Sequence, residues 1–500
     1  MRIGLLPLDE RPVNLTLPGM VAAIAGARVV TPPRELLPRM RAAGDADGLA
    51  RWLTEQAHDV DALVLSLDML GYGGLIASRT SSDSLTDVVR RLATVGEVRA
   101  ARPQLPISAV TTVMRASRSY SAAEEPAYWS EYGVELHRLG GALHQQFLGE
   151  PHDRSALEAA VPADVRRDFL ARRLRNHAAD LYALSLASTG VVSPLLVTAD
   201  DTAPRSAGSL EQLWLDHWAD ALGLGEHVQS FPGADEVCSV LVARTLVGTL
   251  DRPPRIAVRV PEPGGEERVA PYENVPVGVT VRRQLRASGA DVLDEADTAD
   301  DTADAVLVLH APDPHRGDWC GRRPTPAPET VEATVAAVMR ELERGRVVGL
   351  ADVRYTNGGD DTLVEALARA GVLGALAAYG GWNTAGNTIG SVAAALVSRI
   401  VATKRDTHDE FAEQRLLLHR LLEDVAYQAV VRTELAAHDV YRAHVSMPFD
   451  DPAVAETYRR EVDRRLSDHL RALPGGAQWR LTGVRLPWGR TFEVDFSLER

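Results

Sequence analysis

Arg255–Val260 reads RIAVRV, and the fold turns on whether this run continues a barrel begun upstream or opens a second sheet. It is followed by ADVLD at Ala290–Asp294 and DAVLVLH at Asp304–His310. Together they echo the start of the chain: RIGLLPL at Arg2–Leu8, ARVVT at Ala27–Thr31 and DALVLSL at Asp61–Leu67. Short runs of Val, Leu, Ile and Ala alternate with amphipathic helical stretches, the pattern of βα units around a mainly parallel sheet. Eight runs are strong: the RIGLLPL, DALVLSL, RIAVRV and DAVLVLH segments, ISAVTTV from Ile107, PLLVTA from Pro194, RVVGLA from Arg346 and LGALAAY from Leu373. Three are weaker: ARVVT, HVQSF from His227, and ADVLD. Eight strands favour a (β/α)8-type barrel. Counting all eleven gives the alternative, two doubly wound parallel-sheet domains joined near residue 250. The echo is short and degenerate, and generic βα grammar produces it as readily as a repeat does. The barrel is therefore the expected fold.

On that reading residues 1–402 form the α/β catalytic domain, with a helical insertion at about 121–187. Residues 403–500 form a C-terminal domain of long helices and a β-hairpin, the hairpin from the alternating WRLTGVRLPWGRTFEVDFSL that begins at Trp479. The Pro- and Gly-rich Arg259–Pro276 is a long loop in either architecture.

The chain has 500 residues, 45% of them hydrophobic and 25% charged, a globular composition with enough apolar surface for a large core. Its 69 acidic residues outweigh 54 basic ones for a formal charge of −15, which argues against nucleic acid as a partner. Pro7, Asp9 and Glu10 interrupt the first apolar run, so no signal peptide is expected. No stretch stands out as the roughly 20 apolar residues of a membrane helix. A cytoplasmic protein, free or as a homo-oligomer, is the expectation. The two cysteines, Cys238 and Cys320, form no CxxC or zinc spacing, and no cofactor is implied.

Ligands of parallel α/β folds bind at the carboxyl ends of the strands, and there the polar residues gather. Asp9, Glu10, Arg11 and Asn14 follow the first strong strand, Asp68 the second, and Arg115 and Arg118 the third. Asp200 and Asp201 end the fourth, as LLVTADDT at Leu195–Thr202. Asp352, Arg354 and Asn357 follow the seventh, and Trp382, Asn383, Thr384 and Asn387 the eighth. One such residue is a cap or a turn; several at one mouth make a polar site. Carboxylates and amides suit vicinal hydroxyls, and an indole face packs on the C–H side of a sugar ring. The glycine-rich GYGGLIASR, Gly71–Arg79, lacks the phosphate-loop spacings, and its glycines serve tight turns or close backbone approach.

Adjacent carboxylates at Asp200 and Asp201 push at least one pKa upward, which keeps an acid protonated near neutral pH. Glycoside hydrolysis needs such an acid and a second carboxylate; where a 2-acetamido group attacks, the second carboxylate only polarises it. The expected activity is hydrolysis of a small glycoside, an N-acetylhexosaminide among the candidates. Asp201 would be the acid and Asp200 its partner. Asp9, Arg11, Asp68, Arg115, Asp352, Trp382, Asn383 and Asn387 would position the sugar, with no metal.

LPLDERPVN at Leu6–Asn14, DMLGYGGLIASR at Asp68–Arg79, GGWNTAGNTIG at Gly380–Gly390 and RLPWGRTFEVDF at Arg485–Phe496 resemble a bacterial domain-of-unknown-function family over almost the whole chain. That resemblance implies no activity. The ADDT ending separately resembles the consecutive Asp-Asp of substrate-assisted β-N-acetylhexosaminidases, which implies that Asp200 polarises an acetamido group and Asp201 protonates the leaving oxygen.

Two other classes stay open. One is a metal-dependent hydrolase or isomerase with Asp9, Asp68, Asp200, Asp201 and His310 around Mg²⁺ or Mn²⁺. The other is a two-lobed sugar-binding or glycosyl-transferring protein with its ligand held between two doubly wound sheets.

Overall fold

The computed structural model describes residues 1–225, 227–293, 302–322 and 324–500. Its strands fall into two open parallel sheets and one hairpin. The first sheet holds β1 (Arg2–Leu6), β2 (Arg28–Val30), β3 (Ala62–Ser66), β4 (Ile107–Val113), β5 (Leu195–Ala199) and β6 (Val228–Pro232), in the order β2-β1-β3-β4-β5-β6. The second holds β7 (Arg255–Arg259), β8 (Asp291–Leu293), β9 (Ala305–His310), β10 (Val347–Asp352) and β11 (Ala378–Gly380), in the order β11-β10-β9-β7-β8. Asp294, the last residue of the ADVLD run, lies outside the described residues.

The expected eight-stranded barrel is therefore corrected: among the described residues no sheet closes. Four of the eight strong runs enter each sheet, and the second sheet starts at RIAVRV. From its first strand outward each sheet repeats one order, second-first-third-fourth-fifth, which is the order of open doubly wound sheets. The three weak runs, β2, β6 and β8, are all edge strands. Their composition follows from that place. β3, β4 and β5 are wholly or almost wholly buried and read as unbroken apolar runs, whereas β2 and β8 are partly open to solvent and carry Arg28 and Asp291 there.

The chain packs as two compact units, the first comprising residues 1–18, 27–241 and 272–275 and the second residues 19–26, 242–271 and 276–500. In the first, Leu63, Leu65, Ile107, Ala109, Leu195 and Val197 from three strands pack with Leu49, Leu53, Val88, Leu92 and Leu184 from helices. Each such side chain contributes about 1.5–3 kcal/mol by leaving water. Helices Trp129–Phe147, Arg154–Ala160 and Ala163–Ser188 fill the connection from β4 to β5. They carry a small core of their own in which the Trp129 and Phe169 rings lie 5.9 Å apart.

In the second unit, Val306, Val308, Val348 and Leu350 form the strand side of the core. Residues 403–500 belong to this unit. Here the antiparallel hairpin of β12 (Arg480–Arg485) and β13 (Asp495–Glu499) packs with Tyr458, Val462, Leu466 and Leu470 of helix Pro452–Ala472. One helix, Ala385–Lys404, is long and apolar enough by length and composition to cross a membrane, which the sequence reading did not pick out. In the structure 89% of that apolar window is buried, as in a core helix.

Candidate active site at the carboxyl edge of the first sheet

The turn after β1 is a clasp. Asp9 accepts the Arg11 backbone N–H at 3.0 Å, its Nε at 2.8 Å and the Asn14 amide at 2.9 Å. Arg11 Nη1 then reaches Asp235 Oδ2, just after β6, at 3.1 Å. Asp9, Arg11 and Asn14 are all buried. Asp9 and Arg11, expected to position a sugar, hold each other and tie the two strand ends together.

At the end of β3, Ser66 caps helix Leu67–Tyr72 by accepting the Met69 N–H, and Asp68 falls in the first helical turn. Asp68 is buried and accepts the Thr112 N–H at 3.0 Å. Burial pushes its carboxyl up to about 7, although Thr112 and the Arg79 charge pull the other way. The chain then turns through Gly73 at φ 79° and Gly74 at φ 127°. A Cβ on Gly73 would stand 2.5 Å from the Gly44 carbonyl oxygen, so the turn requires glycine. Beyond it, helix Leu75–Thr80 delivers Arg79, which is 1% exposed.

Arg79 and Arg115 organise four carboxylates. Arg79 Nη1 lies 3.1 Å from Glu124 and 3.9 Å from Glu125, while its Nη2 pairs with Asp200. Arg115, after β4, places Nε 2.7 Å from Glu125, Nη2 3.1 Å from Glu124 and Nη1 2.8 Å from Asp201. Two cations face four anions, an excess of two negative charges that favours a bound proton.

Asp201 is held above the usual carboxylate range. Its carboxyl is pushed up to about 6, first by burial and then by the charge of Asp200, with Arg115 and Arg79 opposing. Asp201 is also the residue that leaves the strand with φ at 33°, in the left-handed region that non-glycine residues seldom enter and that recurs at functional sites. Its side chain stays 27% exposed, against 11% for Asp200. One carboxyl of the pair is thus locked on Arg79, and the other, with its pKa raised, stands at the rim.

Arg79, Glu124 and Glu125 were not singled out by sequence. Arg79 ends the quoted glycine stretch, and Glu124–Glu125 form a second double carboxylate in the loop after β4. Glu266–Glu267, Asp360–Asp361 and Asp450–Asp451 are adjacent acids as well, so pairing alone does not mark Glu124–Glu125.

The other expected residues lie in the second unit. Asp352, at the end of β10, accepts the Asp360 N–H at 2.6 Å and the Tyr379 hydroxyl at 3.0 Å, and burial pushes its carboxyl up to about 6. Trp382 and Asn387 are buried and Asn383 is half-buried. The Trp382 ring packs 5.9 Å from that of Phe492 rather than lying open as a sugar platform. His310 sits between Thr334 Oγ1, 2.8 Å from Nδ1, and Asp360, 3.3 Å from Nε2. Among the described residues no group of three or more His, Cys, Asp or Glu side chains is arranged to hold a metal ion.

A family model described as "Protein of unknown function (DUF4127)" matches residues 3–497. No curated protein and no solved structure matches the chain.

Proposed function

The chain belongs to that family of unknown function, DUF4127, and from the chemistry at the first sheet's edge we propose that it is a glycoside hydrolase acting on a small glycoside by acid catalysis at Asp201. The observation that carries the reading is the state of Asp201: a carboxyl raised to about 6, at the rim of a parallel sheet, oriented by Arg115 at 2.8 Å. Such a group gives its proton to a leaving oxygen in mildly acidic solution, up to about pH 6. Asp200, held by Arg79, serves as the charged partner. On a 2-acetamido sugar it would polarise the acetamido group, so that the substrate's own carbonyl oxygen attacks the anomeric carbon. Arg115, Arg79 and Glu124 set the charge around the pair.

Purified protein should release nitrophenol from a panel of nitrophenyl glycosides with and without 2-acetamido groups. Selective release from one sugar, abolished in Asp201→Asn, supports the reading. A second reading, a two-lobed sugar-binding or glycosyl-transferring protein, is favoured by the strand order that the two sheets share. Saturable sugar binding with silence across the whole panel would favour it instead.

A further inference from the structure

GGWNTAGNTIG, Gly380–Gly390, takes no part in the chemistry above, yet the second unit is built closely around it. Asn357 at φ 61° and Asn383 at φ 69° both adopt the left-handed conformation, which among non-glycine residues asparagine enters most readily. They are linked by the Asn357 N–H, which donates to the Asn383 carbonyl at 3.0 Å. The same loops are pinned from below. The Gly381 N–H donates to the Asp424 carboxylate at 2.8 Å, and the Gly359 N–H to the Asp424 carbonyl at 2.9 Å. Asp424 stands on a π-helix, Leu421–Val431, a rare geometry that is most often seen near functional sites. That helix hands over directly to Arg432.

Arg432 is 2% exposed. Its Nη2 donates to the Asn357 carbonyl at 3.0 Å, and its guanidinium carbon lies 5.8 Å from the centre of the Phe492 ring. Its Nη1 is buried with no hydrogen-bond partner, and no carboxylate lies within 4.0 Å of the guanidinium among the described residues. A guanidinium does not shed its charge, and a buried charge without a counter-ion costs several kcal/mol. On the same Phe492 ring packs Trp382, whose indole N–H is likewise buried with no partner. Two donors, one of them cationic, thus pack against one ring, with the Cys320 thiol another polar group beside the guanidinium. Beside them begins helix Ala385–Lys404, whose N-cap Thr384 makes no side-chain capping bond and whose positive dipole end favours an anion.

We infer that the loops after β10 and β11 bind the carboxylate of a small acidic molecule, with Arg432 Nη1 donating to one oxygen and Trp382 Nε1 to the other. Because Asn357 already occupies Nη2, the guanidinium offers a single outer edge. Two donors match the two oxygens of a carboxylate and would leave part of a phosphate unmet. The site stands on the second unit alone and does not rest on the hydrolytic reading.

The test is thermal unfolding of the full chain at constant ionic strength, titrated with sodium glucuronate, inorganic phosphate and, as a neutral control, glucose. Wild type, Arg432→Met and Trp382→Phe are compared. We expect a saturable rise in Tm with glucuronate and none with glucose. The rise disappears in Arg432→Met and needs at least tenfold more glucuronate in Trp382→Phe. Without ligand, Arg432→Met unfolds no lower than wild type, because an unpaired charge has been removed. A response to phosphate alone would overturn the carboxylate assignment. No response of wild type to either anion would overturn the site, and a destabilised Arg432→Met would then leave Arg432 as a strut beneath Asn357. Should Arg432→Met fail to fold, a glucuronate response in Trp382→Phe equal to that of wild type would overturn it as well.

Discussion

Arg115 Nη1 stands 2.8 Å from Asp201 Oδ2, bridging the ends of β4 and β5, while the same guanidinium holds Glu124 and Glu125. This contact fixes the position of the Asp201 carboxyl without overcoming the burial and the Asp200 charge that raise its pKa. The predictions below follow from that balance.

Hydrolysis by a protonated Asp201 is lost as pH rises through about 6, where the carboxyl ionises. Glu124 is one of the charges that hold that value up. Glu124→Gln should therefore move the alkaline limb of the kcat/KM profile to lower pH. The profiles of the two proteins, measured on one substrate, check both statements; a limb that moves upward in the variant contradicts them.

Stability should carry the mark of Asp68. Its folded pKa, about 7, lies above the usual carboxylate value of 3.8, so the native state holds a proton that the unfolded chain releases. This contribution is complete below about pH 4 and is lost as pH rises towards 7. Asp68→Asn, a permanent mimic of the protonated form, should be more stable than wild type at pH 8 by up to about 4 kcal/mol, with the difference vanishing near pH 4. Denaturant unfolding at the two pH values measures it.

Gly73→Ala should cost about 2 kcal/mol or more, since it forces a Cβ into a left-handed turn and against the Gly44 backbone. Because that turn delivers Arg79 to Asp200 and Glu124, the same variant should also lower kcat in the fraction that remains folded. Equal stability of the two proteins in urea would contradict the turn's assigned role.

What was legible in the sequence follows from burial. β3, β4, β5 and β9 are packed on both faces, so their apolar runs were unmistakable, whereas β2, β6 and β8 lie at sheet edges and their mixed residues hid them. Without those three, eight strands suggested a barrel; with them, the restart at Arg255 marks a second sheet. The site was half legible. Asp200, Asp201, Asp68 and Arg115 follow strand ends and were found by that rule. The partner that occupies Arg11 is Asp235, 224 residues away, and no local pattern announces it. Nor does the sequence around Trp382 show that Phe492 covers its ring, because that contact joins a loop of the second sheet to the C-terminal hairpin segment.

The most direct measurement is the rate of Asp201→Asn on the best glycoside of the panel, with folding checked by its unfolding midpoint. Asparagine keeps the shape and the contact with Arg115 but has no proton to give. We predict a fall in kcat of about 10²–10⁴-fold, the usual worth of a positioned acid, with KM little changed. Turnover within twofold of wild type would contradict the assignment of Asp201 as the acid.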